Sequence, residues 1–326
     1  MTRDLVRWLP VVLCVVVLGA CGARRPTTPP APAAPAAPAA LDLSPVDLDA
    51  GRGVRVLTGE GGDVAWAALL DACAQADAVI VGENHGHTLG LAFAAALWED
   101  LSARSPGAAL AMEFFERDEQ SRLDDYLAGL SDQAAFTART GRTRGNYPPG
   151  HRVMVERAKA LGLPVIAANA PRPYVRLARM RGLDALDTLT PEQRRLVRRP
   201  DELLGGRYRA DFEKIMSTPG TQGAAGPADE AAARVEGLYR AQQTWDWTMA
   251  ESVARALEGG RRPVLLVIGR FHSDFEGGTV QALRRLRPGV RAVVVSVVDA
   301  EATAIREEDR GRGDFVVYVG PSAARR

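Results

Sequence analysis

Two short stretches of this sequence place a histidine three residues after a glycine, directly behind an apolar run. Gly82-Glu83-Asn84-His85 follows residues 78–81, and Gly269-Arg270-Phe271-His272 follows residues 264–268. With 32 glycines and four histidines in the chain, chance alone gives roughly 0.4 such cases. Glu113 closes a third apolar run, 108–112, and Asn169 a fourth, 164–168. Neutral imidazole nitrogen and carboxylate oxygen are ordinary ligands of a divalent cation, so Glu83, His85, Glu113 and His272 form a candidate metal set. One glutamate would ligate while the other takes a proton from metal-bound water, the chemistry of a metal-dependent hydrolase. The opposing reading of the same glutamates is structural: they cap the helices that follow, or pair with Arg172 across the rim. His87 reads as a helix-start residue and His151 as a surface or lid residue.

The elements that must position these groups are legible as a repeating pattern. Apolar runs at 78–81, 108–112, 164–168, 264–268, 292–298 and 315–319 alternate with helical patterns near 64–76, 89–104, 119–128, 153–161 and 279–286. That is the signature of an α/β fold, a mostly parallel sheet with helices on both faces; the last run suits either the parallel set or an antiparallel edge. Ligands of such sheets bind beyond the carboxyl ends of the strands, where His85, Glu113, Asn169 and His272 all fall. Residues from about 173 to 260 break the alternation and read as a helical insertion with a loop at 217–226. Its last helix, 231–257, places Leu238, Trp245, Met249, Val253 and Leu257 at near-helical spacing. The insertion either covers the carboxyl edge as a lid or packs beside the sheet.

The front of the chain is different in kind. Arg3 and Arg7, an apolar run through Leu18, and Gly19-Ala20-Cys21 read as a signal peptide over residues 1–20, too short for a membrane span of about 20 apolar residues. Leu18-Gly19-Ala20-Cys21 resembles a bacterial lipobox, which implies cleavage before Cys21 and acylation of its thiol. Residues 24–40 are mostly proline and alanine, a semi-rigid tether with too little apolar bulk to pack. The expected arrangement is a lipidated Cys21 and tether over 21–40, then an α/β domain over 41–326 held at the cell envelope, on an outer membrane facing the periplasm or the cell surface. Membrane contact then comes through the lipid anchor alone. With 41 basic against 40 acidic side chains, nothing suggests a polyanion, and no nucleic-acid partner is expected. Cys14 leaves with the signal and Cys21 takes lipid, so Cys73 has no disulfide partner and reads as a small buried hydrophobe.

Several segments together resemble the ChaN-like haem-binding lipoproteins of the wider Tiki/TraB and erythromycin-esterase-like superfamily. They are Val81-Gly82-Glu83-Asn84-His85, Ala111-Met112-Glu113-Phe114-Phe115 with Gln120, Asn169-Ala170-Pro171-Arg172, Ala241-Gln242-Gln243-Thr244-Trp245-Asp246-Trp247 and Ile268-Gly269-Arg270-Phe271-His272. The resemblance implies a parallel sheet flanked by helices, and binding of haem or another iron-porphyrin, with a role in iron or haem uptake. It also implies a homodimer sharing the haem, with tyrosine as iron ligand. The candidates here are Tyr147, Tyr174, Tyr208 and Tyr239, with Asn169 and Arg172 as supporting rim residues.

Overall fold

The computed structural model describes residues 41–143, 145–227 and 230–321. The expected signal, the lipidated Cys21 and the tether lie outside the described residues.

One sheet is built from β1 (Val56–Thr58), β2 (Asp63–Val64), β3 (Ala78–Glu83), β4 (Ala109–Glu116), β5 (Val165–Asn169), β6 (Val264–Gly269), β7 (Ala292–Val298) and β8 (Phe315–Tyr318). Their spatial order is β2-β1-β8-β7-β3-β6-β4-β5. All neighbours from β8 to β5 are parallel, whereas β1 is antiparallel to both β8 and β2. The last strand is therefore not an antiparallel edge. It runs parallel to β7 and is covered on its other side by the β1–β2 hairpin, whose strands are too short to show a period in sequence.

Every residue of β3 and of β6 is buried. These β-branched and aliphatic runs are continuous because alternate residues serve opposite faces, both of which are covered. Val79, Val81, Leu265 and Val267 pack with α2 (Trp66–Gln75), α3 (Thr88–Arg104) and α6 (Pro149–Leu161). Ala78, Ile80, Leu266 and Ile268 pack with Met249, Val253 and Leu257 of a long helix, Ala231–Glu258, and with Val280 and Leu283 of the helix Gly278–Leu286.

The remaining helices fall into two groups. Small ones precede β5: α1 (Leu48–Arg52), α4 (Gln120–Leu127) and α5 (Gln133–Arg139). Between β5 and β6 stand α7 (Arg172–Arg181), α8 (Pro191–Arg194), α9 (Gly206–Met216) and the long helix, α10; Gly278–Leu286 is then α11. A buried guanidinium just past β4 fastens α10 to the sheet. Arg117 reaches Glu251 at 2.8 Å, Ser252 Oγ at 3.0 Å and the Thr248 carbonyl at 2.7 Å, so its charge is fully satisfied. Gln120 has a structural role too. Its amide donates to the Val165 carbonyl at 2.9 Å and accepts the Ala167 N–H at 2.7 Å, covering the otherwise open edge of β5.

The chain leaves β3 toward β4 on one side, then leaves β6 toward β7 on the other. Their carboxyl ends, paired as Glu83 with Gly269, therefore mark the reversal point where a crevice opens. The loop after β6 lies directly on β3: a Cβ at Gly82 would stand 2.4 Å from Ser273 Oγ and 2.9 Å from Arg270 Cα. Gly82→Ala is expected to lower unfolding free energy by about 1–3 kcal/mol through this overpacking, read as a lower urea midpoint at unchanged slope.

Candidate functional site

The two histidines expected on the rim are there, but each belongs to its own carboxylate. Glu83, at the end of β3, is buried; its Oε1 lies 3.2 Å from His85 Nδ1 and its Oε2 lies 2.8 Å from His151 Nε2. Burial works against the charge of Glu83, yet the two histidines hold its carboxyl below the usual range. The hydrogen bond to Glu83 in turn raises His85, against the effect of burial. His151 corrects the surface or lid expectation. It is fully buried, because α6 starts at Pro149 and turns the ring inward beneath Phe114, 3.9 Å between ring centroids. His87, as expected, starts a helix: it is the N-cap of α3, accepting the Gly90 N–H at 3.1 Å.

His272 stands on the loop after β6 and gives its Nδ1–H to Asp246 Oδ1 at 2.6 Å. Asp246 comes from the middle of α10 and is fully buried. It also accepts from Thr279 Oγ1 at 2.8 Å, Tyr208 Oη at 2.7 Å and Gln243 Nε2 at 3.2 Å. Gln242 Nε2 donates to Tyr208 Oη at 2.9 Å, closing the network. Although burial opposes the charge of His272, Asp246 prevails and the imidazolium is pushed up to about 9. Its Nε2 faces Glu113 Oε1 at 3.8 Å, while Glu113 Oε2 accepts the Gly269 N–H at 2.6 Å.

This pairing divides the expected four-residue set. Glu83 has both oxygens engaged, His272 is held as a donor, and among the described residues no group of three or more His, Cys, Asp or Glu side chains is placed to hold a metal ion. His151 and Asp246, absent from the sequence-derived set, draw the ligands into two separate pairs. Nor does Arg172 pair with Glu83 or Glu113; at the start of α7 its side chain lies 3.3 Å from Glu116 and its backbone N–H donates to the same carboxylate at 3.2 Å. Asn169 is half-buried on the rim, its amide oxygen accepting the Ala170 N–H at 2.9 Å.

The four candidate tyrosines separate sharply. Tyr147, Tyr208 and Tyr239 are buried, and burial, as the largest cause, pushes all three phenols upward, away from the phenolate. Tyr208 serves Asp246, Tyr239 donates to the Leu204 carbonyl, and the Tyr147 hydroxyl has no hydrogen-bond partner among the described residues. Tyr174 is half-buried beside Val175 and Ala178 of α7. Cys73 is buried as expected, its thiol pushed up to about 12 by burial.

His85 lines three cavities. One of about 740 Å³ lies toward Arg207, Lys214, Arg270 and Arg312, and one of about 710 Å³ toward Val46, Leu89 and Pro148. The third, about 780 Å³, has walls of Phe114, Val175, Phe212, Leu238 and Trp245 and carries Arg142, Arg172, Arg176 and Arg179. His272 lines the first and third. Asp246, Gln242, Gln243 and His151 were not among the expected site residues. A usable signal existed for the first three: Gln242, Gln243, Thr244, Asp246 and Thr248 are polar residues crowded into the apolar middle of α10, and all are buried.

A mostly parallel sheet with covered faces and cavities at its carboxyl rim defines an α/β protein with room for a ligand where such sheets bind them. The chain belongs to the family described as haem-binding uptake, Tiki superfamily, ChaN, whose model matches residues 69–283. Among solved structures it is similar to ChaN of Campylobacter jejuni, described with cofacial haem binding, at 15% identity and a TM-score of 0.62, covering 81% of this chain and 96% of that one. A mutant of the erythromycin esterase EreC in its open conformation matches at 15% identity and a TM-score of 0.44, over 80% of each chain. The type III effector HopBA1 matches at 13% and 0.42, over 84% of this chain and 99% of that one. No curated protein matches the chain.

Because the folded state raises His272, its contribution to stability is complete below pH 6.5 and is lost as pH rises through about 9. The expected change is on the order of 3 kcal/mol. Urea midpoints between pH 6 and 10 should fall across that window in the wild type, and His272→Gln should flatten the slope.

Proposed function

We propose that this chain is an envelope lipoprotein that binds haem in the 780 Å³ cavity and serves haem or iron uptake. The observation carrying this reading is the pairing, in one cavity, of aromatic and aliphatic walls with a row of guanidinium groups. Haem has an apolar ring and two carboxylates, so it needs both. Arg172, Arg176 and Arg179 are spaced four and three residues apart, which sets them along one face of α7. Arg172 is tied to Glu116 and Arg179 to Gln222 at 3.3 Å. Arg176 is exposed and has no ion pair among the described residues. Guanidinium–carboxylate bonds are charge-assisted and often bidentate, suited to fixing the orientation of such a ring. Membership of the ChaN family and the cofacial haem of the Campylobacter relative support the same ligand, and cofacial stacking suits a pair of chains.

Haem would supply a ferric iron able to take a protein ligand. The residues of this chain would bind and orient it: Phe114, Phe212 and Trp245 would shield the ring from water, and the α7 guanidinium groups would hold its carboxylates.

Haemin titrated into the full mature chain should develop a Soret band at saturable stoichiometry. The double substitution Arg176→Ala/Arg179→Ala should weaken binding about tenfold for each charge-assisted hydrogen bond removed; an unaltered affinity would move the ligand out of this cavity. The lipobox reading has its own readout. Cys21→Ser should shift the protein from the membrane fraction to the soluble fraction and remove acyl mass from its amino terminus.

A further inference from the structure

Resting on the haem reading, we infer that His85 Nε2 is the iron ligand in this chain, in place of a tyrosine. Three of the four candidate phenols are buried, and the fourth, Tyr174, is packed in the cluster of Val175, Ala178 and Leu186 rather than in the cavity wall. His272 is buried too, with Nδ1 given to Asp246 and Nε2 turned toward Glu113.

His85 has the opposite character. Its side chain is 53% exposed, lines all three cavities, and shares the largest with the α7 guanidinium row. Only Nδ1 is engaged, at 3.2 Å from Glu83 Oε1; no group among the described residues hydrogen-bonds Nε2. A ring that donates from Nδ1 to a carboxylate presents a lone pair at Nε2, the tautomer that a metal requires, and the carboxylate increases its basicity. That carboxylate cannot swing away. Glu83 is buried, and its second oxygen is bonded to the buried His151 at 2.8 Å. Phe114 braces the other side of the ring edge-on, with centroids 5.2 Å apart. The His151–Glu83–His85 chain is thus a support that orients a half-exposed ring, whose Cε1–Nε2 edge runs beside Gly269, where a Cβ would stand 2.9 Å from Nε2. Ligation forms one bond from Nε2 to ferric iron, any proton on Nε2 leaves to solvent, and no electron is transferred.

The test is haemin added to the full mature chain, with His85→Ala and Tyr174→Phe compared against wild type by absorption and electron paramagnetic resonance. Wild type should give an imidazole-ligated ferric spectrum. His85→Ala should lose that signature, weaken binding by about tenfold, and recover the wild-type spectrum when imidazole is added. Iron-free protoporphyrin should bind wild type and His85→Ala alike, which separates loss of the ligand from loss of the fold. Tyr174→Phe should leave the spectrum unchanged. A wild-type spectrum in His85→Ala without imidazole, or its loss in Tyr174→Phe, overturns the assignment of His85 alone. A wild type that takes up no haemin overturns the haem reading itself.

Discussion

The buried carboxylate of Asp246 is the constraint on which the carboxyl side of this molecule depends. A charge taken fully out of water is tolerated only where donors replace the lost hydration. Here they come from four directions: Tyr208 of α9, Gln243 of α10 itself, Thr279 of α11 and His272 of the loop after β6. The first turn of α11 also directs its positive end at the carboxylate. Gly278 leaves the necessary room, since a Cβ there would stand 2.2 Å from Asp246 Oδ2. One side chain thereby fixes where α9 and α10 meet the sheet, and with them the walls of the two cavities that His272 lines.

Glu83 plays the corresponding part on the other side of the crevice, and the comparison explains why two histidines in similar motifs differ. Both follow a parallel strand at Gly-x-x-His spacing, and both have Nδ1 against a buried carboxylate. His272 is enclosed by α10 and by Glu113, so its proton is held and its ring becomes a structural cation. His85 sits just past the paired ends of β3 and β6, with Nδ1 engaged and its half-exposed ring lining three cavities. Geometry, not motif, divides a packing role from a ligand-facing one.

Much of the fold was legible because burial on both faces leaves an unmistakable imprint. The runs that became β3 and β6 are continuous aliphatic segments up to their carboxyl ends, and helices such as α6 and α11 bury one face against the sheet. The β1–β2 hairpin was invisible because three- and two-residue strands have no period to detect, and without it β8 could be read as an edge. Cys73 and His87 are legible from local context alone, one from an apolar helical pattern and one from its place before a helix.

What the sequence by itself determined was six of the eight strands, the parallel arrangement of β3 to β7 and the consequence that Glu83, His85, Glu113, Asn169 and His272 lie at one rim, because strand direction dictates which end each residue occupies. Pairing within that rim was decided only in the folded chain. His151 and Asp246 lie 68 and 26 residues from their partners Glu83 and His272, and no local pattern encodes contacts made through the packing of α6 and α10. Tyrosine accessibility is equally non-local: the phenols of Tyr147, Tyr208 and Tyr239 are withdrawn by helices that close over them. The tertiary structure thus placed His85 and His151 on Glu83 and His272 on Asp246, with His272 buried and His85 half-exposed, because buried charges must find their partners wherever the fold brings them.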